Sequence, residues 1–142
     1  MIMQIGWGSI VLVLCALLHV MVLIGGIRLL IWMGPRCADL RMEVRIAAFL
    51  CATIMVILLA HTLQVWIWGL SFILSDEIPD LASAIYFALV TYTTLGYGDL
   101  TLDVDMRLYA AMAAVTGLLT FGLSTAYLMA VFSSVLPASL RE

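Results

Sequence analysis

Thr93-Thr94-Leu95-Gly96-Tyr97-Gly98-Asp99 is the stretch on which the interpretation of this chain depends. Its two glycines are separated by one aromatic residue, and they permit backbone conformations with positive φ that larger side chains disfavour. Successive carbonyl groups can then point in one direction. Together with the Thr94 hydroxyl they form a row of hard oxygen ligands, which suits a dehydrated monovalent cation.

The composition indicates a membrane protein. Of the 142 residues, 65% are hydrophobic and only 11% are charged, whereas an ordinary soluble domain has about 25% charged residues. Three segments are long and apolar enough to cross a bilayer core of about 30 Å. The sequence therefore predicts an all-α integral membrane protein with three transmembrane helices.

A shorter apolar run, Leu81 to Tyr92, lies directly before the glycine stretch. As a helix it would be only about 18 Å long, so we expect it to be re-entrant or buried rather than spanning. Non-helical backbone at membrane depth must pack in protein or line a watery cavity. The glycine stretch is therefore expected to need neighbours.

Charged and aromatic residues predict the orientation of the chain. Four arginines cluster at the end of the first segment and in the loop after it, and acids flank the glycine stretch. The arginines are Arg28, Arg36, Arg41 and Arg45, and the acids are Asp76, Glu77, Asp80, Asp99, Asp103 and Asp105. By the positive-inside rule the amino terminus lies outside and the carboxyl terminus is cytoplasmic, with Trp7, Trp66 and Trp68 at the outer interface and Trp32 at the inner one. Nucleic acid is not an expected partner, since the arginines are few and do not alternate with aromatic residues.

The run Thr94-Leu95-Gly96-Tyr97-Gly98-Asp99, placed between two spanning segments, closely resembles the pore signature of potassium channels. Gly117 to Ala126 is also similar to the inner helix of bacterial two-helix potassium channels. The resemblance covers Val44 to about Leu136. It implies a homotetramer, surrounded by lipids of a plasma membrane (the bacterial inner membrane), with four pore loops around one conduction axis. The alternative is a tight glycine turn in a membrane protein of another class.

With this resemblance the chain divides into an extra helix and a pore module. Residues 1–33 are predicted to form the extra N-terminal transmembrane helix, because Gly34-Pro35 is a turn signal, and residues 34–45 the cytoplasmic loop. Residues 44–142 form the module, with an outer helix at 44–75, a pore helix at 79–92, a filter at 94–98 and an inner helix at 106–136. Pro79 suits the first turn of the pore helix. Pro137 is expected to end the inner helix, with no cytoplasmic regulatory domain after it.

The resemblance also assigns roles within the filter. The potassium ligands are the carbonyl groups of Thr94, Leu95, Gly96 and Tyr97 with the Thr94 hydroxyl, and Gly98 completes the filter. Leu95 stands where the family most often has valine, and its side chain is expected to point into the pore helix. Tyr97 is expected to point away from the axis, where its ring packs and its hydroxyl bonds a neighbouring helix. Asp99 lies at the outer mouth, where acids raise the local cation concentration.

Other positions bear on gating. Gly117 and Gly122 are the hinge candidates that the resemblance implies, and the alternative is that both permit close helix packing. Val90 replaces the glutamate of the best-studied bacterial members, so a carboxylate pair with Asp99 cannot form. The sequence lacks a helix with regularly repeated arginines, so a voltage sensor is not expected.

His19 and His61 are ionisable residues near the middle of the first two helices. At such a depth they are candidates for a pH sensor. The alternative is a neutral imidazole that shares a hydrogen bond with a neighbour, such as Gln64 or Thr62 beside His61.

These patterns predict a potassium-selective channel that conducts passively. No cofactor is expected, since K⁺ is the transported ion. No enzymatic activity is expected either, because no nucleophile with a base, paired membrane carboxylates or phosphate loop is present. One alternative is a weakly selective cation channel of the same architecture. Another is a non-conducting membrane subunit that uses the pore fold as a scaffold.

Overall fold

A computed structural model describes residues 2–136 of the chain, and these residues form four α-helices. They are α1 (Ile2–Arg36), α2 (Met42–Leu74), α3 (Leu81–Tyr92) and α4 (Arg107–Val135), with a single 3-10 turn at Val104–Met106 before α4. The three longer helices are long and apolar enough to cross a membrane, and α3 is the shorter apolar helix. The predicted all-helical fold with three long apolar helices is therefore confirmed.

The end of α1 differs from the prediction, because the turn expected at Gly34-Pro35 is wrong. The helix continues through Pro35 to Arg36. Proline removes one backbone donor, and so close to the helix end this costs a single intrahelical bond. The Cys37 amide again donates to the Met33 carbonyl at 3.0 Å, and the Arg36 guanidinium lies 3.7 Å from the centre of the Trp32 ring. The connection to α2 is therefore residues 37–41, shorter than the predicted 34–45.

The start of α3 is also later than predicted. Pro79 lies before the helix, and Asp80 caps it by accepting a hydrogen bond from the Ser83 amide at 2.8 Å. This hydrogen bond holds the pKa of the Asp80 carboxyl below its usual range. The predicted outer helix, 44–75, is observed at Met42–Leu74, and the predicted inner helix, 106–136, at Arg107–Val135. Pro137 and the residues that follow lie outside the described part of the chain.

The helices form a bundle in which α1 and α4 run in the same direction. Gly8 lies against Met112 near the start of α4, and Gly26 lies against Tyr127 near its end. Gly26 also approaches Val56 on α2, which runs in the opposite direction. The amino end of α1 and the glycine stretch with its flanking acids therefore share one end of the bundle, and the arginine cluster lies at the other.

Aromatic side chains hold α3 inside the bundle. Phe87 of α3 packs edge-on against Phe72 of α2, with ring centroids 5.0 Å apart. Trp68 packs in the same way against Tyr109 of α4 at 5.5 Å. Trp68 is fully buried, so its ring packs inside the bundle, and its depth at the outer interface stays a prediction. The carboxyl end of α3 is thereby directed into the glycine stretch.

Candidate functional site

The sign of φ alternates along the glycine stretch. Thr94, Gly96 and Gly98 have φ values of +61°, +56° and +78°, whereas Leu95 and Tyr97 are not among the residues with positive φ. A left-handed conformation is unfavourable for a residue with a Cβ, such as Thr94, so the surrounding contacts must hold it.

Backbone amides of the stretch turn back onto the end of α3. The Thr94 amide donates to the Thr91 carbonyl at 2.9 Å, and the amides of Leu95 and Gly96 share the Val90 carbonyl at 3.0 and 3.2 Å. A trans peptide group holds its N–H and C=O on opposite sides. The carbonyl groups of Thr93, Thr94 and Leu95 therefore point away from α3, as a row of oxygen ligands requires.

The side chains of the stretch are exposed on the single chain. Residues 93–99 all belong to the exposed class, with Leu95 54% and Tyr97 67% exposed. The expected packing of Leu95 and Tyr97 is therefore not achieved within one chain. If these side chains are packed, the atoms that cover them must come from outside it.

Asp99 has a partner that the sequence did not reveal. The Tyr86 hydroxyl, thirteen residues earlier on α3, donates to the Asp99 carboxylate at 2.5 Å, and the Leu100 amide donates to the other oxygen at 3.0 Å. The hydrogen bond from Tyr86 is the main reason why the pKa of Asp99 lies below its usual range. Val90 is buried nearby on the same helix. Tyr86 thus holds the carboxylate at the end of the stretch.

Replacing Tyr86 with phenylalanine is expected to make acid inhibition start at a higher pH. The Tyr86 hydroxyl stabilises the charged form of Asp99, so its removal raises the Asp99 pKa towards the ordinary value. The negative charge is then lost sooner as the external pH falls. When current is plotted against external pH, its fall at low pH should begin at a higher pH in Tyr86→Phe and at the wild-type pH in Tyr127→Phe. A fall that begins at the same pH in wild type and Tyr86→Phe would contradict this role.

The two hinge candidates have different surroundings on α4, which is continuous past both. A Cβ added at Gly117 would overlap the carbonyl oxygen of Tyr92, whereas nothing lies within 4 Å of such an atom at Gly122. Gly117 thus permits the close approach of α4 to the end of α3. Gly122 is exposed and unconstrained. A hinge at either position stays a prediction.

The two histidines lie together, 5.1 Å apart between ring centroids. His61 contacts the Tyr92 hydroxyl through Nδ1 at 2.7 Å and the Ser124 hydroxyl through Nε2 at 2.9 Å. The suggested partners of His61 were wrong: Gln64 bonds His19 at 2.6 Å, and the Thr62 hydroxyl donates to the Leu58 carbonyl. The prediction that these histidines sense pH is untested.

A family model described as ion channel matches residues 56–134, more than half of the chain. This match covers most of α2, all of α3 and the glycine stretch, and nearly all of α4. The chain belongs to the two-helix ion channel pore family. The resemblance predicted from the sequence is thereby confirmed at the level of the family. Comparisons with curated proteins and with solved structures gave no match.

Within this ion channel, α1 stands apart from the matched region. The family match begins at Val56, on α2, so the whole of α1 lies before it. The helix nevertheless packs closely on the pore-forming helices, since Gly8 lies against Met112 and His19 bonds Ser124 of α4. The channel therefore combines a family pore with an additional helix.

Proposed function

We propose that the protein is a potassium-selective channel that conducts passively through Thr94 to Gly98. The observation that carries the proposal is the alternating φ of this stretch, together with amides that bond back onto α3. This arrangement supports a filter in which the carbonyls of Thr94, Leu95, Gly96 and Tyr97 and the Thr94 hydroxyl replace the water shell of K⁺. Conduction requires sites that bind the ion well enough to strip water and weakly enough to release it.

The conducting form is a homotetramer. One chain supplies one wall of a pore, and identical copies related by a closed rotation complete it. The exposure of Leu95 and Tyr97 supports such an assembly. So does an open cavity of about 300 Å³ beside the filter, whose lining includes Phe87, Leu100 and Arg107. These surfaces would be covered by neighbouring subunits.

Electrostatics favour a cation at both ends of the filter. The carboxyl end of α3 carries the partial negative charge of the helix dipole, and it leads directly into Thr94. Asp99 lies at the opposite end, where its carboxylate is held by Tyr86. The acids raise the local cation concentration, and this effect weakens as salt increases.

The arginine cluster supports an orientation with the filter end of the bundle outside the cell and the carboxyl terminus in the cytoplasm. The channel then lies in a plasma membrane, the bacterial inner membrane, in contact with its lipids. Of the two hinge candidates, Gly122 is better placed to bend, because Gly117 is held against Tyr92. The inner helices are proposed to constrict near Phe132 to Leu136, at the cytoplasmic end.

Potassium flux from the purified protein alone tests this function against the non-conducting scaffold. Liposomes loaded with K⁺ and containing only this chain are expected to release K⁺ when a potential permits, whereas empty liposomes do not. The native mass of the protein in detergent, measured before reconstitution, should correspond to four copies. Absence of flux from a preparation of that mass would favour the scaffold, and a monomeric mass would contradict the pore.

A further inference from the structure

Behind the filter, six buried or half-buried polar side chains from all four helices form one hydrogen-bonded network. They are His19 on α1, His61 and Gln64 on α2, Tyr92 on α3, and Thr120 and Ser124 on α4. His19 and Gln64 are fully buried, and Tyr92 is 1% exposed. A polar cluster at this depth is stable only if its members satisfy one another.

The hydrogen positions in the first half of the network follow from Gln64, because an amide nitrogen can only donate. The Gln64 amide nitrogen donates to the Ala60 carbonyl at 3.3 Å and to His19 Nδ1 at 2.6 Å. His19 Nδ1 is therefore an acceptor, and a neutral imidazole then carries its proton on Nε2. His19 Nε2 donates to the Ser124 hydroxyl at 3.1 Å, which leaves the Ser124 proton for His61 Nε2.

The second half continues in the same sense towards the pore. With Nε2 accepting, neutral His61 donates from Nδ1 to the Tyr92 hydroxyl oxygen. The single Tyr92 hydroxyl proton then has two acceptors, the Thr120 hydroxyl at 2.8 Å and Gln64 Oε1 at 3.2 Å, and Thr120 donates to the Thr116 carbonyl at 2.9 Å. Every donor along the path from Gln64 to Thr120 thus has an acceptor while both imidazoles stay neutral. Chains of hydrogen bonds with one direction strengthen each other.

Tyr92 connects this network to the filter backbone. It is the last residue of α3 and precedes Thr94 by two positions. Its carbonyl is pressed against Gly117, and the neighbouring carbonyls of Val90 and Thr91 accept the filter amides. The position of the Tyr92 side chain therefore fixes the turn from α3 into the left-handed Thr94.

We propose that His19 is a positioning residue for the selectivity filter. Through this residue, α1 contributes to the selectivity of the pore. His19 orients Gln64 and Ser124, these orient His61 and Tyr92, and Tyr92 holds the end of α3 from which the filter starts. The inference rests on the proposed potassium selectivity of Thr94 to Gly98. It assigns a function to the helix that lies outside the family match.

Three variants of α1 test the proposal by the K⁺/Na⁺ permeability ratio of channels in liposomes. His19→Leu removes an acceptor and a donor and takes one hydrogen bond from each of Gln64 and Ser124, so the ratio is expected to fall roughly tenfold. His19→Gln offers an acceptor oxygen and a donor nitrogen on one amide and is expected to retain the ratio. Cys15→Ala, a matched change at another fully buried residue one turn earlier, is also expected to retain it.

Each variant is first shown to be tetrameric by native mass. If His19→Leu does not assemble, Ser124→Ala decides, because it interrupts the path between the two histidines from α4. If every variant that interrupts the network still assembles and keeps the wild-type permeability ratio, the inference is overturned. The proposed function is nevertheless upheld in that case if the wild-type channel is selective. Equal losses in His19→Leu and Cys15→Ala overturn it too, since general packing of α1 would then suffice. A wild-type channel without selectivity refutes the proposed function itself.

Discussion

A Gly117→Ala channel is expected to lose more than 99% of its potassium flux. The added Cβ would overlap the Tyr92 carbonyl oxygen, and a backbone atom cannot be relieved by a change of rotamer. Overpacking costs about 1–3 kcal/mol for one site, and a tetramer carries the strain four times. Flux from liposomes, measured at matched amounts of tetramer, tests the expectation.

The matched control for Gly117 is Gly25→Ala, the same substitution on α1. No atom lies within 4 Å of a Cβ at Gly25, so flux should match the wild type. A second variant on α4 separates the packing of Gly117 against α3 from bending of the helix at Gly122. Gly122→Ala, where space is open, should preserve the ion selectivity of the filter even if it alters how often the pore opens. Normal flux through Gly117→Ala would show that α4 does not hold the end of α3 as described.

A Gly96→Ala substitution is expected to have a comparable effect for a different reason. No atom lies within 4 Å of the added Cβ, but Gly96 has a φ of +56°. A left-handed conformation costs an L-residue about 1–2 kcal/mol, repeated in each of four subunits. The carbonyl row should therefore be disrupted, with potassium flux reduced by about a hundredfold or more while the tetramer persists.

Gly34→Ala provides the control for Gly96. It also has open space, but it lies within α1, so alanine fits its backbone and the flux should not change. A Gly96→Ala channel with wild-type flux and selectivity would contradict the left-handed conformation at this position.

The sequence sufficed to predict the three long apolar helices and the positive-φ glycines of the glycine stretch, because both depend on local patterns. Apolar length predicts a membrane helix, and the two glycines around Tyr97 indicate left-handed backbone, which Gly96 and Gly98 adopt. Thr94 joins them without a glycine, held by hydrogen bonds to α3. Local signals therefore predicted the position of the site, although not all of its supports.

Rotation of the helices about their axes could not be predicted in the same way. A helix that is apolar all round has no periodic face to indicate what it buries. Trp66 and Trp68 consequently looked equivalent, yet Trp66 is 46% exposed and Trp68 is buried. The Tyr86–Asp99 bond and the links from His19 to Gln64 and Ser124 depend likewise on tertiary packing, which pairs residues far apart in the chain.

Selectivity for potassium is measured most directly by the reversal potential of the purified tetramer when K⁺ and Na⁺ are present on both sides of the membrane in opposed gradients. We expect reversal close to the potassium equilibrium potential, since carbonyl ligands held at a fixed diameter replace the water shell of K⁺ better than that of Na⁺. Reversal near zero under the same opposed gradients would show a weakly selective cation pore and would contradict the proposed filter.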